Sequence, residues 1–239
     1  MKKSNLILLT FAVSLFAVIP HTFAEGNEVT VSPYVSTKLS FGWTKGHNAV
    51  GDLSSDDGYE TSFDTNTDTG VGTKIAVGVS TAVPAIHGAI RTELEFGLNS
   101  DYKDKNVDTS YVDDGYPSFT VESKTFLFNV YYDFTNCSKF TPYIGAGLGL
   151  AHTTLDMNYF GDDGGNDWYA GGSKTNNKFA WQVGTGVAYN ITDKTALDLG
   201  YRFTDLGEIS ADADRNSNPG AVKADLKSHE ILLGLRYTF

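Results

Sequence analysis

Ile231-Leu232-Leu233-Gly234-Leu235-Arg236-Tyr237-Thr238-Phe239 closes the sequence, and its period decides the fold. Taken two residues at a time, Ile231, Leu233, Leu235, Tyr237 and Phe239 share one face, with Leu232, Gly234, Arg236 and Thr238 on the other. The apolar face of a soluble sheet packs on a second layer, whereas a strand that faces lipid can end with a ring at the membrane interface. This stretch alone fits an edge strand of a soluble sandwich or the closing strand of a transmembrane β-barrel. The rest of the chain separates the two.

Seven further segments alternate in the same way. Residues 29–43 set Val29, Val31, Val35, Leu39, Phe41 and Trp43 against Ser32, Ser36, Lys38 and Ser40. Residues 71–81 set Ile75, Val77 and Val79 against Gly72, Lys74, Gly78 and Ser80, and residues 89–98 set Ile90, Leu94, Phe96 and Leu98 against Arg91, Glu93, Glu95 and Gly97. A fourth segment, ending near Phe134, opposes Phe126, Phe128, Val130 and Tyr132 to Ser123, Thr125 and Asn129. A fifth opposes Ile144, Ala146, Leu148 and Leu150 to the row Gly145, Gly147 and Gly149, which suits a narrow interior where small residues make room for large ones. Residues 179–189 set Phe179, Trp181, Val183, Val187 and Tyr189 against Gln182, Gly184 and Gly186, and residues 196–203 set Leu197, Leu199, Tyr201 and Phe203 against Asp198, Gly200 and Arg202. Extended back through Glu230, the closing stretch is the eighth.

The connections alternate long and short. About 27 residues follow Trp43, about 20 follow Leu98, about 23 follow His152 and about 20 precede the last strand, with short turns at residues 84–88, 135–139 and 190–194 between them. A soluble sandwich gives no reason for this regularity. Outer-membrane barrels have short periplasmic turns and longer extracellular loops, and an even strand count puts both termini on the short side. The chain is therefore read as all-β, an eight-stranded antiparallel transmembrane β-barrel with four long extracellular loops and three short periplasmic turns.

Residues 1–24 combine Lys2 and Lys3, an apolar run from Leu6 to Ile19, and Thr22-Phe23-Ala24 before Glu25, the pattern of a secretory signal peptide cleaved after Ala24. The barrel then occupies residues 25–239. Twenty-five Gly, 13 Tyr and 15 Phe favour strands, and the single Cys137 excludes an intrachain disulfide and reads as an idle thiol in a turn. The formal charge of −11 deepens when Lys2 and Lys3 leave, and there is no basic stripe, so nucleic acid is excluded as a partner.

The lumen-facing register holds Lys38, Lys74, Arg91, Arg202 and Arg236 with Glu93, Glu95, Asp198 and Glu230. Eight strands leave an interior barely wide enough for side chains, and an unpaired ion there costs several kcal/mol, so these groups are expected to pair with one another. A proton or ion path is the functional alternative. Trp43, Trp181, Tyr189, Tyr237 and Phe239 fall outward at strand ends, as interface aromatics.

Negative charge gathers in the loops. Asp56-Asp57-Gly58-Tyr59, Asp113-Asp114-Gly115-Tyr116 and Asp162-Asp163-Gly164, with Trp168 close behind, are good turn formers and also candidate contact residues. The carboxylates could take divalent cations or basic groups of a partner. Asp212-Ala213-Asp214-Arg215-Asn216 begins like a calcium loop, but Ser217 stands at the glycine position and Lys223 at the position of the bidentate acid, so no metal site is assigned. No catalytic set is assigned either. His21 leaves with the signal, His87 lies in a short turn, His152 and His229 fall on the lipid-side register, and His47 near Asp52 has no nucleophile in a suitable register. No cofactor is expected.

Asn129-Val130-Tyr131-Tyr132-Asp133-Phe134, Phe140-Thr141-Pro142-Tyr143-Ile144-Gly145-Ala146-Gly147-Leu148-Gly149, Leu197-Asp198-Leu199-Gly200-Tyr201-Arg202-Phe203 and the closing strand, in that order, resemble the opacity-type and OmpA-like family of small outer-membrane β-barrel proteins, a porin-type fold. The resemblance covers nearly all of residues 25–239. It implies a Gram-negative outer-membrane protein with extracellular loops that serve adhesion or surface recognition. The implied partners are outer-membrane lipid and lipopolysaccharide, the assembly machinery acting on the C-terminal strand, and a host or extracellular ligand at the loops; a monomer is expected. The loops are more acidic than those of opacity adhesins. The chain stops at Phe239 with no peptidoglycan-binding domain, so cell-wall anchoring is not expected. Function is thus read as a structural or adhesive surface protein, with a small-solute or ion channel as the alternative and an outer-membrane enzyme third.

Overall fold

A computed structural model describes residues 30–52, 60–63, 68–104, 115–163, 166–215 and 218–239. The proposed signal peptide and the loop residues Asp56, Asp57, Tyr59, Asp113 and Asp114 lie outside them. The elements are β1 (Thr30–Asp52), β2 (Glu60–Phe63), β3 (Asp68–Val83), a 3-10 turn (Pro84–Ile86), β4 (Gly88–Asp104), β5 (Gly115–Phe134), β6 (Phe140–Asp163), β7 (Asn166–Asn190), β8 (Thr195–Arg215) and β9 (Asn218–Thr238). Every neighbouring pair is antiparallel, and β1 pairs with β9 to close the sheet on itself. The short β2 only extends the wall beside the far end of β1, at Ala49–Asp52.

Closure sorts side chains by parity. Outward on β9 stand Ile231, Leu233, Leu235, Tyr237 and Phe239, all exposed, and the same holds for Phe41, Ile75, Leu148, Leu150 and Phe179 on other strands. A continuous apolar belt this large is not tolerated in water and marks a lipid-facing surface. From His229 to Phe239, at ~3.4 Å per residue and a tilt of roughly 40°, the belt spans about 25 Å, the height of a hydrocarbon band. Among the described residues no helix is long and apolar enough to cross a membrane.

The short turns hold by local chemistry. His87 takes a left-handed φ of 52° in the turn after Pro84–Ile86. Asn136 accepts from the Ser138 N–H and donates to Phe140 O, leaving Cys137 exposed. Thr192 Oγ1 accepts from Lys194 and Thr195.

The strands run on into what the sequence reads as long loops. The β6–β7 ladder continues from Leu150↔Phe179 to Asp163↔Asn166, and the β8–β9 ladder to Arg215↔Asn218. Backbone pairing carries both hairpins outward although outward apolar alternation stops below. The Asp162-Asp163 pair therefore ends β6, Trp168 lies in β7, and Asp212–Arg215 are strand.

The interior is layered. Polar and charged groups fill the part nearer the short turns. Toward the loop end lies an apolar cluster of Val121, Leu127, Ala151, Leu155, Ala180, Leu206, Ile209 and Leu226, which the sequence reading did not find. The glycine row makes the lower part possible. A methyl group on Gly145 would enter the Tyr131 ring, one on Gly147 the Asn129 amide, and one on Gly186 would meet the Tyr143 hydroxyl at 2.5 Å.

Candidate functional site

The lumen gathers all nine charged residues assigned to it. Lys38 Nζ lies 2.6 Å from Glu93 and 2.7 Å from Glu95. Arg202 bridges Glu95 at 2.7 Å and Glu230 at 3.0 Å, and Lys74 closes the chain on Glu230 at 2.7 Å. The result is one continuous run of alternating sign across β4, β1, β8, β9 and β3. Lys74 also donates to Ser40 at 3.1 Å and to Asn99 at 2.8 Å. Each charge inside therefore meets an opposite one, which is the condition under which burial is tolerated.

A second, looser group lies nearer the short turns. Arg91 Nε donates to Asp133 at 2.6 Å, while Arg236 stands 3.9 Å from Asp133 and 3.7 Å from Asp198. Asp133 is the fifth lumen carboxylate, and the sequence reading missed it. Its signal was present, since it follows Asn129 and Tyr131 at period two.

Tyrosines join the groups. Tyr34 and Tyr131 donate to Glu93 at 3.0 and 3.1 Å, and the Arg91 guanidinium lies 4.7 Å from the Tyr131 ring centroid and 5.0 Å from that of Tyr143. Gln182 donates to Asn129, which donates to Glu93. Ser36, Arg91, Gln182 and Asp198 line a cavity of ≈ 20 Å³, room for one or two waters, and each turns a polar atom without a hydrogen-bonding protein partner toward the lumen.

The outward aromatics form two levels. At the short-turn end Tyr237 and Phe239 meet edge to face at 5.4 Å, and Phe140 packs on Tyr189 at 5.0 Å. At the loop side Trp43 stacks on His229 at 5.6 Å, and Trp181 packs on Phe203 at 5.5 Å. His229 Nδ1 is 2.7 Å from the Tyr201 hydroxyl, and His152 Nδ1 is 2.7 Å from Asn177 Oδ1. Among the described residues no group of His, Cys, Asp and Glu is placed to hold a metal ion.

The chain is similar to known proteins. The chain is 37% identical over 123 residues to the outer membrane protein PagN of Salmonella typhimurium, covering 50% of this chain and 51% of that one. It is 28% identical over 172 residues to opacity protein opA60 of Neisseria gonorrhoeae, covering 63% of each. The chain thus spans about half of PagN and under two thirds of the opacity protein. Among solved structures, the outer membrane protein AlkL in lipid bilayers superposes with a TM-score of 0.50 at 17% identity over 93% of this chain and 95% of that one, a likeness of fold alone. The sequence pattern described as outer membrane protein beta-barrel domain matches residues 9–239, and this chain belongs to that family of Gram-negative outer-membrane barrels.

Proposed function

We propose that residues 25–239, released from a signal peptide at Ala24, form a monomeric surface protein that contacts other surfaces through its hairpins and is not an enzyme. The observation that carries this reading is the length of the β6–β7 hairpin. Beyond Leu150↔Phe179, the last outward apolar pair among residues whose side chains are described, its ladder continues to Asp163↔Asn166, roughly 40 Å of strand at ~3.4 Å per residue. Such a projection carries strand-held side chains beyond the lipid, where another surface can meet them. A relative in Rickettsia conorii, 29% identical over 156 residues that cover 62% of this chain and 61% of that one, is named as a putative adhesin, which supports the same reading.

The lumen supports neither alternative. Its ions are used up in pairing one another, and the described histidines with a hydrogen bond, His152 and His229, are engaged by neutral partners on the outward face. With loops rich in Asp and aromatic residues, the contact surface suits basic groups on a partner, loops facing the cell exterior. Tyr116, Asp162, Asp163 and Trp168 stand at strand ends where such contacts would form.

Excising residues 158–171 and joining Met157 to Gly172 through an Asn-Gly turn keeps the register, because Met157 pairs with Gly172. The shortened barrel is expected to remain heat-modifiable and membrane-inserted while expressing cells lose adhesion to matrix-coated wells. Adhesion of the full-length protein should weaken at high salt. Undiminished adhesion by the shortened barrel would refute the reading.

A further inference from the structure

The β7–β8 ladder stops at Trp181↔Asp205, yet both strands continue past it, β7 back to Asn166 and β8 on to Arg215. The break coincides with a bulge. Gly207 has φ +81°, a left-handed conformation that favours glycine, and its N–H is held by Asp205 Oδ1 at 2.9 Å. The extra residue changes parity, so that Leu206 and Ile209 both turn inward. Above the bulge, β8 packs on β6, which is not its neighbour in the sheet.

The β8–β9 hairpin keeps its tie to the wall on the other side. There β9 stays paired with β1 to Gly51↔Val222, with a register shift between His47 and Val50. On the free side it is held by side chains in place of a ladder. Asn176 donates to Ser210 O at 2.9 Å and accepts from Ser210 N at 3.3 Å, and Lys178 lies 3.8 Å from Glu208. Its inner face carries Leu206, Ile209 and Leu226, which meet Leu127, Leu155 and Val121 of the opposite wall. Leu127 and Leu206 are 0% and 1% exposed, so this layer is filled.

We propose that the upper β8–β9 hairpin is a fixed lid: turned in at Gly207 and latched by Asn176 to Ser210, it closes the lumen with an apolar layer, and this layer, more than the ion pairs beneath, is the seal. An apolar constriction excludes water and hence hydrated ions. The ion pairs beneath are polar groups that water can solvate once it arrives, whereas in the upper layer the buried hydroxyls of Ser123, Thr153, Thr204 and Ser228 are separated by the apolar side chains of the cluster. The lid deepens the surface-protein reading, since it explains why a barrel with a polar lumen stays shut.

Planar-bilayer conductance of purified, heat-modifiable barrels tests this. Replacing residues 206–226 by an Asn-Gly turn joins Asp205 to Lys227, already cross-strand partners, and removes the lid. Leu206→Ser with Ile209→Ser keeps the hairpin and makes its inner face polar. Lys74→Met with Glu230→Gln removes one positive and one negative charge, and with them the Lys74–Glu230 and Arg202–Glu230 contacts, while Arg202 keeps Glu95, so the charges stay balanced. The wild-type protein and the ion-pair variant should be silent, and the lidless or serine variant should show steady current steps, at least tenfold more open time than the wild type. If one of these two does not fold, the other decides. Silence of the folded lid variants, or current through the ion-pair variant, overturns the lid and leaves the surface-protein reading standing. Steady current through the wild type overturns both.

Discussion

Arg202 sits between Glu95 and Glu230, and both carboxylates are buried. Arg202→Met leaves three carboxylates, Glu93, Glu95 and Glu230, to share Lys38 and Lys74, and should destabilise the barrel by about 3–5 kcal/mol, the usual cost of stranding a buried ion. Arg91→Met strands Asp133 with only the distant Arg236, so it belongs in the lower part of that range. Urea unfolding in detergent micelles measures both, and a wild-type midpoint for Arg202→Met would contradict the network. At this scale much was legible. The nine lumen charges lie on one parity, and parity is all that a strand needs to aim a side chain. Asp133 escaped because a carboxylate one residue from a turn reads as a solvated flank. Tyr34, Tyr131 and Tyr143 escaped because tyrosine on an inward row has no sequence mark that separates it from an interface ring. The reach of their hydroxyls to Glu93, or of their rings to Arg91, depends on the glycines opposite.

At the scale of the element, each strand is fixed by its period and by what its ends meet. On β9 the outward rings of Tyr237 and Phe239 pack edge to face, and the Phe239 N–H donates to Pro33 O at 3.0 Å, tying the last strand to the first. An unpaired backbone group in lipid costs several kcal/mol, so this seam must close for insertion. We expect the same outward rings to be what the assembly machinery reads. Phe239→Asp should lower the amount reaching the outer membrane in cells far more than it lowers refolding into detergent, where no machinery acts. Equal yields in cells would remove the terminal strand as the recognised element. The extent of the strands was less legible than their existence. Outward alternation ends where the lipid does, while backbone pairing continues in β6–β7 and β8–β9 past that point. The bulge at Gly207 then breaks the period itself, which is why an inward Leu206 followed by an inward Ile209 could not be read as one face.

For the whole molecule, closure follows from β1 pairing with β9, and the belt of exposed apolar side chains requires lipid around it. The fold was legible because eight period-two segments and an alternation of long and short connections are global properties that survive local misreading. The layering of the lumen was not, because it arises only when inward residues from five strands, β5 to β9, come together in the upper part of the barrel. As a surface protein, the chain is expected to carry its hairpins on one side of the membrane and its short turns on the other. The tip of the β6–β7 hairpin, between Asp163 and Asn166, is the place to test it. An epitope inserted there should be detected by antibody on intact cells, while one inserted in the turn at Cys137 should be detected only after the outer membrane is permeabilised. The reverse pattern, or detection of the hairpin epitope only after permeabilisation, would contradict the account.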